Sequence, residues 1–247
     1  MELGKKLYTL SKLLVRYKTV PAKMKVDKMA PIIQCYDELA HVKAAEYLGS
    51  GRVIAVPTDT IYGLACSANC PTAIQRLYSI KGRDSAKPVA ICVTSVQDLR
   101  KWGEASHLSD ELLHSLLPGP VTLVLERTKH LDNPFLNPVS TKIGIRIPNH
   151  NFMNQVTKLF DGPVALTSAN FSNEPSTLSI KEFKHLYGHL GAVFDGGLLS
   201  QGLEQNRTGS TVVDLALAGQ YNIIRRGISY NSIVGILDRH GLKSASS

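Results

Sequence analysis

The sequence predicts an α/β fold in which one sheet is covered by helices, and three observations support this prediction. Short apolar runs rich in β-branched residues alternate along the chain with segments of helical periodicity. The hydrophobic fraction of 43% is enough for a large buried core. No Pro/Gly/Ser-rich linker divides the middle of the 247 residues, which favours one domain, although length and composition alone do not decide it.

The individual strands and helices follow from the residue patterns in chain order. Strands are predicted at residues 52–57, 89–93, 121–125, 143–147, 164–167, 212–215 and 222–224. Helices are predicted at residues 36–48, 71–80, 95–102, 109–117, 151–160, 180–187 and 230–240. The long polar loop from Gly197 to Gly209 suits a mobile flap.

The N-terminal 33 residues form a predicted basic amphipathic extension. They hold eight Lys or Arg and two acidic residues, and five apolar side chains share one helical face: Leu3, Leu7, Leu10, Leu14 and Tyr17. A mitochondrial targeting segment, a membrane-surface helix and a solvated extension all remain open. We therefore expect a cytoplasmic protein with a mitochondrial or peripheral membrane pool as alternatives.

Charge and cysteine usage limit the function classes. The formal net charge is +8, but the first 33 residues carry most of it, so the rest of the chain is nearly neutral and gives little support to simple RNA binding. No run of eighteen apolar residues occurs. Four cysteines without a secretory signal indicate reduced intracellular thiols, and Cys66 and Cys70 lack the further ligands that a zinc site needs.

Residues 57–88 have the composition of an anion site. Hydroxyl residues and a glycine follow the predicted strand 52–57, and the next helix leads to Lys81, Arg83 and Lys87. Taken alone, such cations are usually a solvated helix end that complements the helix dipole. The alternative is a grip on nucleotide phosphates by exposed cations, on which the fold itself would not depend. Neither of the common glycine-rich nucleotide motifs is present.

Arg146 interrupts an apolar strand and permits two interpretations. Its side chain could reach solvent on the outer face of the sheet. It could also bind a substrate carboxylate, because a guanidinium matches a carboxylate with two parallel hydrogen bonds, and nearby Gly144 permits close approach of a ligand.

Several motifs in one order resemble a known family. They are Pro57-Thr-Asp-Thr-Ile-Tyr-Gly-Leu64, Lys81-Gly-Arg83, Lys87-Pro88, Pro118-Gly-Pro-Val-Thr122, Gly144-Ile-Arg-Ile-Pro148, Ser168-Ala-Asn170, Ser210-Thr-Val-Val-Asp214 and Arg225-Arg-Gly227. Together they resemble the YrdC family of threonylcarbamoyl-AMP synthases, and its animal members most of all. The resemblance covers residues 36–241. It implies a twisted, open, mixed sheet flanked by helices, with a large concave face carrying the site.

The resemblance also implies roles for particular residues. Lys81 and Arg83 would be catalytic, and the nucleotide would be bound by Lys81, Arg83, Lys87, Ser168, Asn170 and Arg225. Threonine would be bound by Thr60, Arg146 and Ser210. Asp59, Cys92 and Arg226 depart from the common family pattern, so Arg225 and Arg226 could exchange roles. The domain organisation expected from this match is an extension at 1–33, a catalytic domain at 34–241 and a tail at 242–247.

The activity implied is the synthesis of threonylcarbamoyl-AMP from L-threonine, bicarbonate and ATP, with Mg²⁺ on the phosphates and no metal site in the protein. The product would go to a separate transferase complex that modifies tRNA beside the anticodon, and direct tRNA contact is an additional possibility. No Ser–His–Asp or Cys–His set suggests covalent catalysis. The rival interpretations are a non-catalytic module that binds double-stranded RNA and a carbamoyl-transfer module like that of hydrogenase maturation proteins.

Overall fold

The computed structural model describes residues 29–82, 87–199 and 207–245. The predicted helical face of the N-terminal extension, Arg83 and most of the predicted flap lie outside these residues. Within the described ranges no helix is long and apolar enough to cross a membrane.

The described strands form one mixed sheet in the order β1-β8-β2-β3-β7-β4-β6-β5-β9-β10-β11. Their bounds are β1 Ile32–Gln34, β2 Ile54–Val56, β3 Gly63–Ser67, β4 Ala90–Cys92, β5 Val121–Glu126, β6 Lys142–Arg146, β7 Val164–Ser168, β8 Val193–Asp195, β9 Thr211–Asp214, β10 Gln220–Arg225 and β11 Lys243–Ser244. The pairs β1–β8, β2–β8, β4–β6, β5–β9 and β10–β11 are parallel, and the remaining neighbours are antiparallel. The two edge strands of this order do not pair with each other, so the sheet is open.

Helices connect and cover these strands. Their bounds are α1 Ala40–Gly49, α2 Pro71–Lys81, α3 Val96–Trp102, α4 Asp110–Leu116, α5 Asn151–Phe160, a 3₁₀ helix Ile180–His189, and α6 Tyr230–Arg239. Local sequence explains several ends: the hydroxyls of Ser95 and Ser109 accept main-chain N–H groups at the starts of α3 and α4. Gly82 adopts a left-handed conformation and ends α2.

Successive residues of β2, together with Val53 just before it, belong to different buried clusters. Ile54 and Val56 pack with α1 and α5, whereas Val53 and Ala55 pack into the larger cluster that includes apolar side chains of α2, α3 and α4. Because alternate residues of a strand face opposite sides, apolar side chains cover both faces of the sheet here. The predicted class, a mixed α/β sheet flanked by helices, is confirmed.

The differences from the predicted elements concern short strands. Strand β3 occupies the end of a segment that we predicted to be only a polar turn, and β1, β8 and β11 were not predicted at all. These strands have two to five residues, which is too short for a clear alternation pattern. Strand β1 begins within residues 1–33 and β11 lies within residues 242–247, so parts of the predicted extension and tail join the sheet.

Candidate active site

A cavity of about 420 Å³ lies against one face of the sheet. Strands β4, β5, β6, β7 and β9 contribute to its lining, together with β10 and the turn between β2 and β3. Both apolar side chains and polar groups line it, and its volume falls within the range of about 300–1,000 Å³ typical of small-molecule sites. Of the predicted site residues, Arg146, Ser168, Ser210 and Arg225 line this cavity directly.

Thr58 organises the turn between β2 and β3. Its hydroxyl donates to the main-chain oxygen of Ile61 at 2.7 Å and accepts the main-chain N–H groups of Thr60 and Ile61 at 3.1 and 3.2 Å. The hydroxyls of Thr58 and Thr60 are 3.1 Å apart, and both side chains are buried. Thr58, which we did not predict as a site residue, lines the cavity and stabilises the turn, in which Thr60 is fully buried outside the cavity lining.

Arg146 points into the cavity, so the interpretation that it reaches solvent on the outer face is wrong. Its Nη2 donates to Asp59 Oδ1 at 2.7 Å and to Thr60 Oγ1 at 3.3 Å. The side chains of Arg146 and Asp59 are only 7% and 9% exposed. The Arg146 Nε is buried and has no hydrogen-bond partner among the described residues. The hydrogen bonds that the structure gives this guanidinium are therefore concentrated at Nη2.

Two neighbours of this ion pair have shifted pKa values. Burial raises the pKa of the Cys92 thiol to about 12, with Arg146 opposing the rise and Asp59 adding to it. Burial lowers the pKa of His150, and the negative charge of Asp59 partly offsets that effect. The direction of each shift favours the neutral form of the group.

Lys81, Ser168 and Asn170 form a second cluster. The Lys81 ammonium donates to the main-chain oxygens of Ser168 and Asn170 at 2.7 and 2.6 Å, and to Asn170 Oδ1 at 2.8 Å. The Ser168 hydroxyl is 3.2 Å from it. The residue is only 2% exposed, so the expectation of an exposed cation is wrong for Lys81. The last residue of α2 and the end of β7 are held together by this ammonium.

Lys87 does not join that cluster. Its ammonium donates to the side-chain oxygen of Asn173 at 3.1 Å on the exposed surface. Arg83 lies outside the described residues. The Lys81, Arg83 and Lys87 set therefore separates into one buried cation, one exposed cation and one residue whose placement is not described.

Ser210 and Arg225 meet at the start of β9. Arg225 donates from Nη2 to the main-chain oxygen of Ser210 at 2.8 Å and lies 3.2 Å from its hydroxyl. The Ser210 hydroxyl is also 2.8 Å from that of Thr122 on β5. Arg226 contacts the Tyr230 ring instead, 4.7 Å from its centre. Of the two adjacent arginines, Arg225 is the one in the cavity lining.

The prediction from sequence missed Lys142 and Asp214, which form an ion pair of 2.7 Å in the cavity lining. Strand alternation offered a signal, because Lys142, Gly144 and Arg146 are two residues apart and must share one face of β6. A Cβ at Gly144 would lie 2.9 Å from Thr122 Cγ2. This glycine therefore leaves room for Thr122 between the two cations.

The comparisons with known proteins identify the family. The Sua5/YciO/YrdC family model, described as telomere recombination, matches residues 46–227. The chain belongs to this family. The match includes the turn between β2 and β3 and every predicted site residue.

Individual members are similar over most of the chain. The identity to a threonylcarbamoyl-AMP synthase of Bos taurus is 47% over 200 residues, covering 81% of this chain and 72% of that protein. The threonylcarbamoyl-AMP synthase of Homo sapiens is 44% identical over 225 residues, which are 90% of this chain and 80% of that protein.

Solved structures of family members have the same fold. Sua5 of Pyrococcus abyssi complexed with L-threonine superposes with a TM-score of 0.73 at 25% identity, covering 88% of this chain and 63% of that one. This chain thus spans less than two thirds of the Sua5 chain. YciO of Escherichia coli superposes with a TM-score of 0.72 at 22% identity over 81% of this chain and 97% of the YciO chain. At this identity the similarity is one of fold.

Proposed function

We propose that this protein is a threonylcarbamoyl-AMP synthase, which joins L-threonine, bicarbonate and ATP and releases pyrophosphate. The observation that carries the proposal is the buried Arg146 guanidinium, which lines the same cavity as Ser168 of the Lys81 cluster. The end of the cavity at Arg146 suits a small carboxylate, and the end at Ser168 suits a phosphate. The names of the similar family members from Bos taurus and Homo sapiens support the same activity.

Arg146 binds the carboxylate of threonine in this proposal. The guanidinium lines the cavity, and a carboxylate there forms charge-assisted hydrogen bonds with it, which are roughly twice as strong as bonds between neutral groups. Thr122 and Ser210 line the same cavity with their hydroxyls 2.8 Å apart, and they offer further polar contacts to the amino acid. The Thr60 hydroxyl contacts Arg146 Nη2 and is itself fully buried.

Lys81, Ser168 and Asn170 bind the nucleotide phosphates. An ammonium has three N–H donors, whereas four protein oxygens surround that of Lys81. A phosphate oxygen can therefore replace one of these acceptors without leaving a donor unpaired. Arg83 and Lys87 add positive charge from the segment after α2, and Arg225 contributes from the Ser210 side.

Catalysis then consists of positioning and electrostatic stabilisation. The threonine amine attacks the carbon of bicarbonate and water leaves, which gives a carbamate. A carbamate oxygen attacks the α-phosphate of ATP, the bond to the β-phosphate oxygen breaks, and pyrophosphate departs. Lys81 and Arg83 stabilise the charge that develops on the phosphoryl oxygens.

Magnesium enters this scheme with ATP, as part of the substrate. Among the described residues no group of three or more His, Cys, Asp or Glu could hold a metal ion. Asp214 in the cavity lining is already paired with Lys142. The phosphates and water are thus the natural ligands of Mg²⁺, which needs few protein carboxylates when bound with a nucleotide.

We further propose that the product passes to a separate transferase complex that modifies tRNA. Cytoplasmic and mitochondrial pools and a peripheral membrane pool are the proposed locations, and the basic composition of residues 1–33 is their support. Direct contact with tRNA is the remaining proposal on partners. These proposals concern regions beyond the cavity and do not alter the chemistry in it.

The double-stranded RNA alternative finds no support. That interpretation needs a broad concave face lined with Lys and Arg, whereas Lys81 and Arg146 are buried and already bonded to protein oxygens. Phosphates of a duplex are too bulky to reach such groups inside a small cavity, because duplex binding needs cations presented on an open surface.

The proposed activity is tested with purified protein, Mg–ATP, L-threonine and bicarbonate. Pyrophosphate release should require threonine and bicarbonate together, and mass spectrometry should detect threonylcarbamoyl-AMP before it hydrolyses. Omitting each substrate in turn supplies the control. Pyrophosphate release that is independent of threonine would remove the synthase assignment.

A further inference from the structure

Asp59 is bonded through both of its carboxylate oxygens. Oδ1 accepts from Arg146 Nη2 at 2.7 Å, and Oδ2 accepts the main-chain N–H of Asn149 at 3.1 Å. The first contact reaches the last residue of β6 and the second the segment after it. The aspartate, which lies in the turn between β2 and β3, is therefore fixed against the guanidinium and cannot rotate away without losing both bonds.

The hydrogen bonds that the structure gives Arg146 are all at one nitrogen, Nη2. A guanidinium has five N–H donors in a rigid plane, two of them on Nη2. Asp59 and Thr60 both contact Nη2, whereas the buried Nε has no partner among the residues that the structure describes. Because the group is planar, fixing Nη2 against Asp59 also fixes the direction of Nε–H.

We propose that Asp59 is a positioning residue for the amino-acid substrate. By holding Nη2 it sets the plane of Arg146, and with it the orientation of the guanidinium that the threonine carboxylate meets in the cavity. The inference rests on the proposed function, since the carboxylate is that of the substrate proposed above. Asp59 itself does not contact the substrate.

Charge and geometry give opposite expectations for Asp59. Its negative charge lies beside the site of another carboxylate, so by charge alone its removal should strengthen threonine binding. If its role is to orient the guanidinium, removal should weaken threonine binding, because the guanidinium is then no longer held in one plane. The sign of the effect therefore separates positioning from simple electrostatics.

The experiment compares Asp59→Ala, Asp59→Glu and Asp110→Ala with the wild-type chain. Asp110 forms an ion pair of equal length, 2.7 Å, with Arg100 and is not in the cavity lining, which makes it the matched control. Threonine affinity is measured by calorimetry without ATP, and the KM values for threonine and ATP are measured by pyrophosphate release. Melting temperatures verify that each variant folds.

We expect Asp59→Ala to weaken threonine binding and raise its KM about tenfold or more, the loss that one misdirected charge-assisted bond produces. The KM for ATP should change less than about twofold, since Lys81 and Ser168 are unaffected. Asp59→Glu should recover part of the affinity, and Asp110→Ala should resemble wild type. Tighter threonine binding by Asp59→Ala, or equal losses for both substrates, would overturn the inference.

A double variant adds a readout that a merely structural role would not change. In an Arg146→Lys background the ammonium is a point charge with no plane to orient, so adding Asp59→Ala should cost less than about threefold. A full tenfold loss there would show that Asp59 acts without Arg146. Wild-type protein that binds threonine but releases no pyrophosphate would refute the proposed function only, whereas absence of threonine binding would refute both.

Discussion

Arg225 contacts the main-chain oxygen of Ser210 through two nitrogens, Nη2 at 2.8 Å and Nε at 3.2 Å. The bonds join β10 to the residue that opens β9 and keep the Ser210 hydroxyl beside Thr122. Arg226, the next residue, faces Tyr230 instead. Two adjacent arginines of equal charge thus have different environments, and they form a natural pair of test and control.

Arg225→Ala should raise the KM for ATP about tenfold, because a lost charge-assisted contact costs about 1.5–3 kcal/mol. Arg226→Ala should keep wild-type values, since a surface contact between a cation and a ring is worth only about 0.5–1 kcal/mol and is remote from substrate. Steady-state kinetics with ATP as the varied substrate checks this. Equal effects of the two substitutions would mean that net charge, and not the contact with Ser210, matters.

Lys81→Met should reduce both activity and stability. The substitution leaves buried oxygens of Ser168 and Asn170 without a donor, at a cost of about 1–3 kcal/mol, and lowers the melting temperature by several degrees at about 2–4 °C per kcal/mol. Lys87→Met is the control, because that cation is exposed; its melting temperature should not change. Thermal unfolding followed by circular dichroism measures the melting temperatures of both variants, and pyrophosphate release measures their activity. An unchanged melting temperature for Lys81→Met would contradict a structural role of the ammonium.

Gly227→Ala should destabilise the chain near Arg225. A Cβ at this position would overlap the main-chain carbon and oxygen of Ser210, and such overpacking typically costs about 1–3 kcal/mol. Gly49→Ala is the matched control, because no atom lies within 4 Å of its added Cβ. Urea unfolding should give a lower midpoint for Gly227→Ala, whereas Gly49→Ala should have a midpoint equal to or slightly above that of wild type, because alanine in a helix loses less backbone entropy than glycine. Unfolding curves that coincide would show that the backbone of Ser210 can move aside.

Cys70 should be the first cysteine to react with iodoacetamide. The hydroxyl of Thr72 lowers its pKa against the opposing effect of burial, helped by the N–H groups of Ala73 and Thr72 at the start of α2. Burial raises the pKa of the thiols of Cys35, Cys66 and Cys92. The thiolate is the reactive form, so alkylation of Cys70 should begin at lower pH than that of an ordinary thiol.

Mass spectrometry of the alkylated peptides over pH 6–9 tests this order of reactivity. Thr72→Val removes the hydroxyl and should shift the Cys70 profile to higher pH. Faster labelling of a buried cysteine, or a profile that Thr72→Val leaves in place, would contradict the cause given for the shift.

Removing residues 1–28 should leave pyrophosphate release nearly unchanged, because the cut preserves β1 and every candidate site residue. The eight basic residues of this segment favour anionic surfaces by about 1 kcal/mol each when close to a membrane. Imaging of a C-terminally tagged protein should therefore show loss of a mitochondrial or membrane-associated pool. A large loss of rate would mean that the segment stabilises the catalytic domain, and an unchanged distribution would identify a passive extension.

The local pattern of the sequence was sufficient for the fold class and for most helices and longer strands. Periodicity near 3.6 and alternation near 2 are properties of neighbouring residues, so α2, α5, β5 and β6 could be predicted without their partners. Strand β3 could not, because Gly63-Leu-Ala-Cys-Ser67 is short and mostly small. It is held in the sheet by β2 and β7, and those pairings are not encoded locally.

The sequence also indicated which residue types could bind substrate, and the family motifs indicated their positions. Only the tertiary structure decided their environments. Lys81 follows a helix and has the sequence pattern of a solvated end, yet Ser168 and Asn170, almost ninety residues later, surround its ammonium. Arg146 and Asp59 are separated by 87 positions and meet in one ion pair. Burial and pairing depend on which distant segments the sheet brings together, and a local pattern contains no information on that.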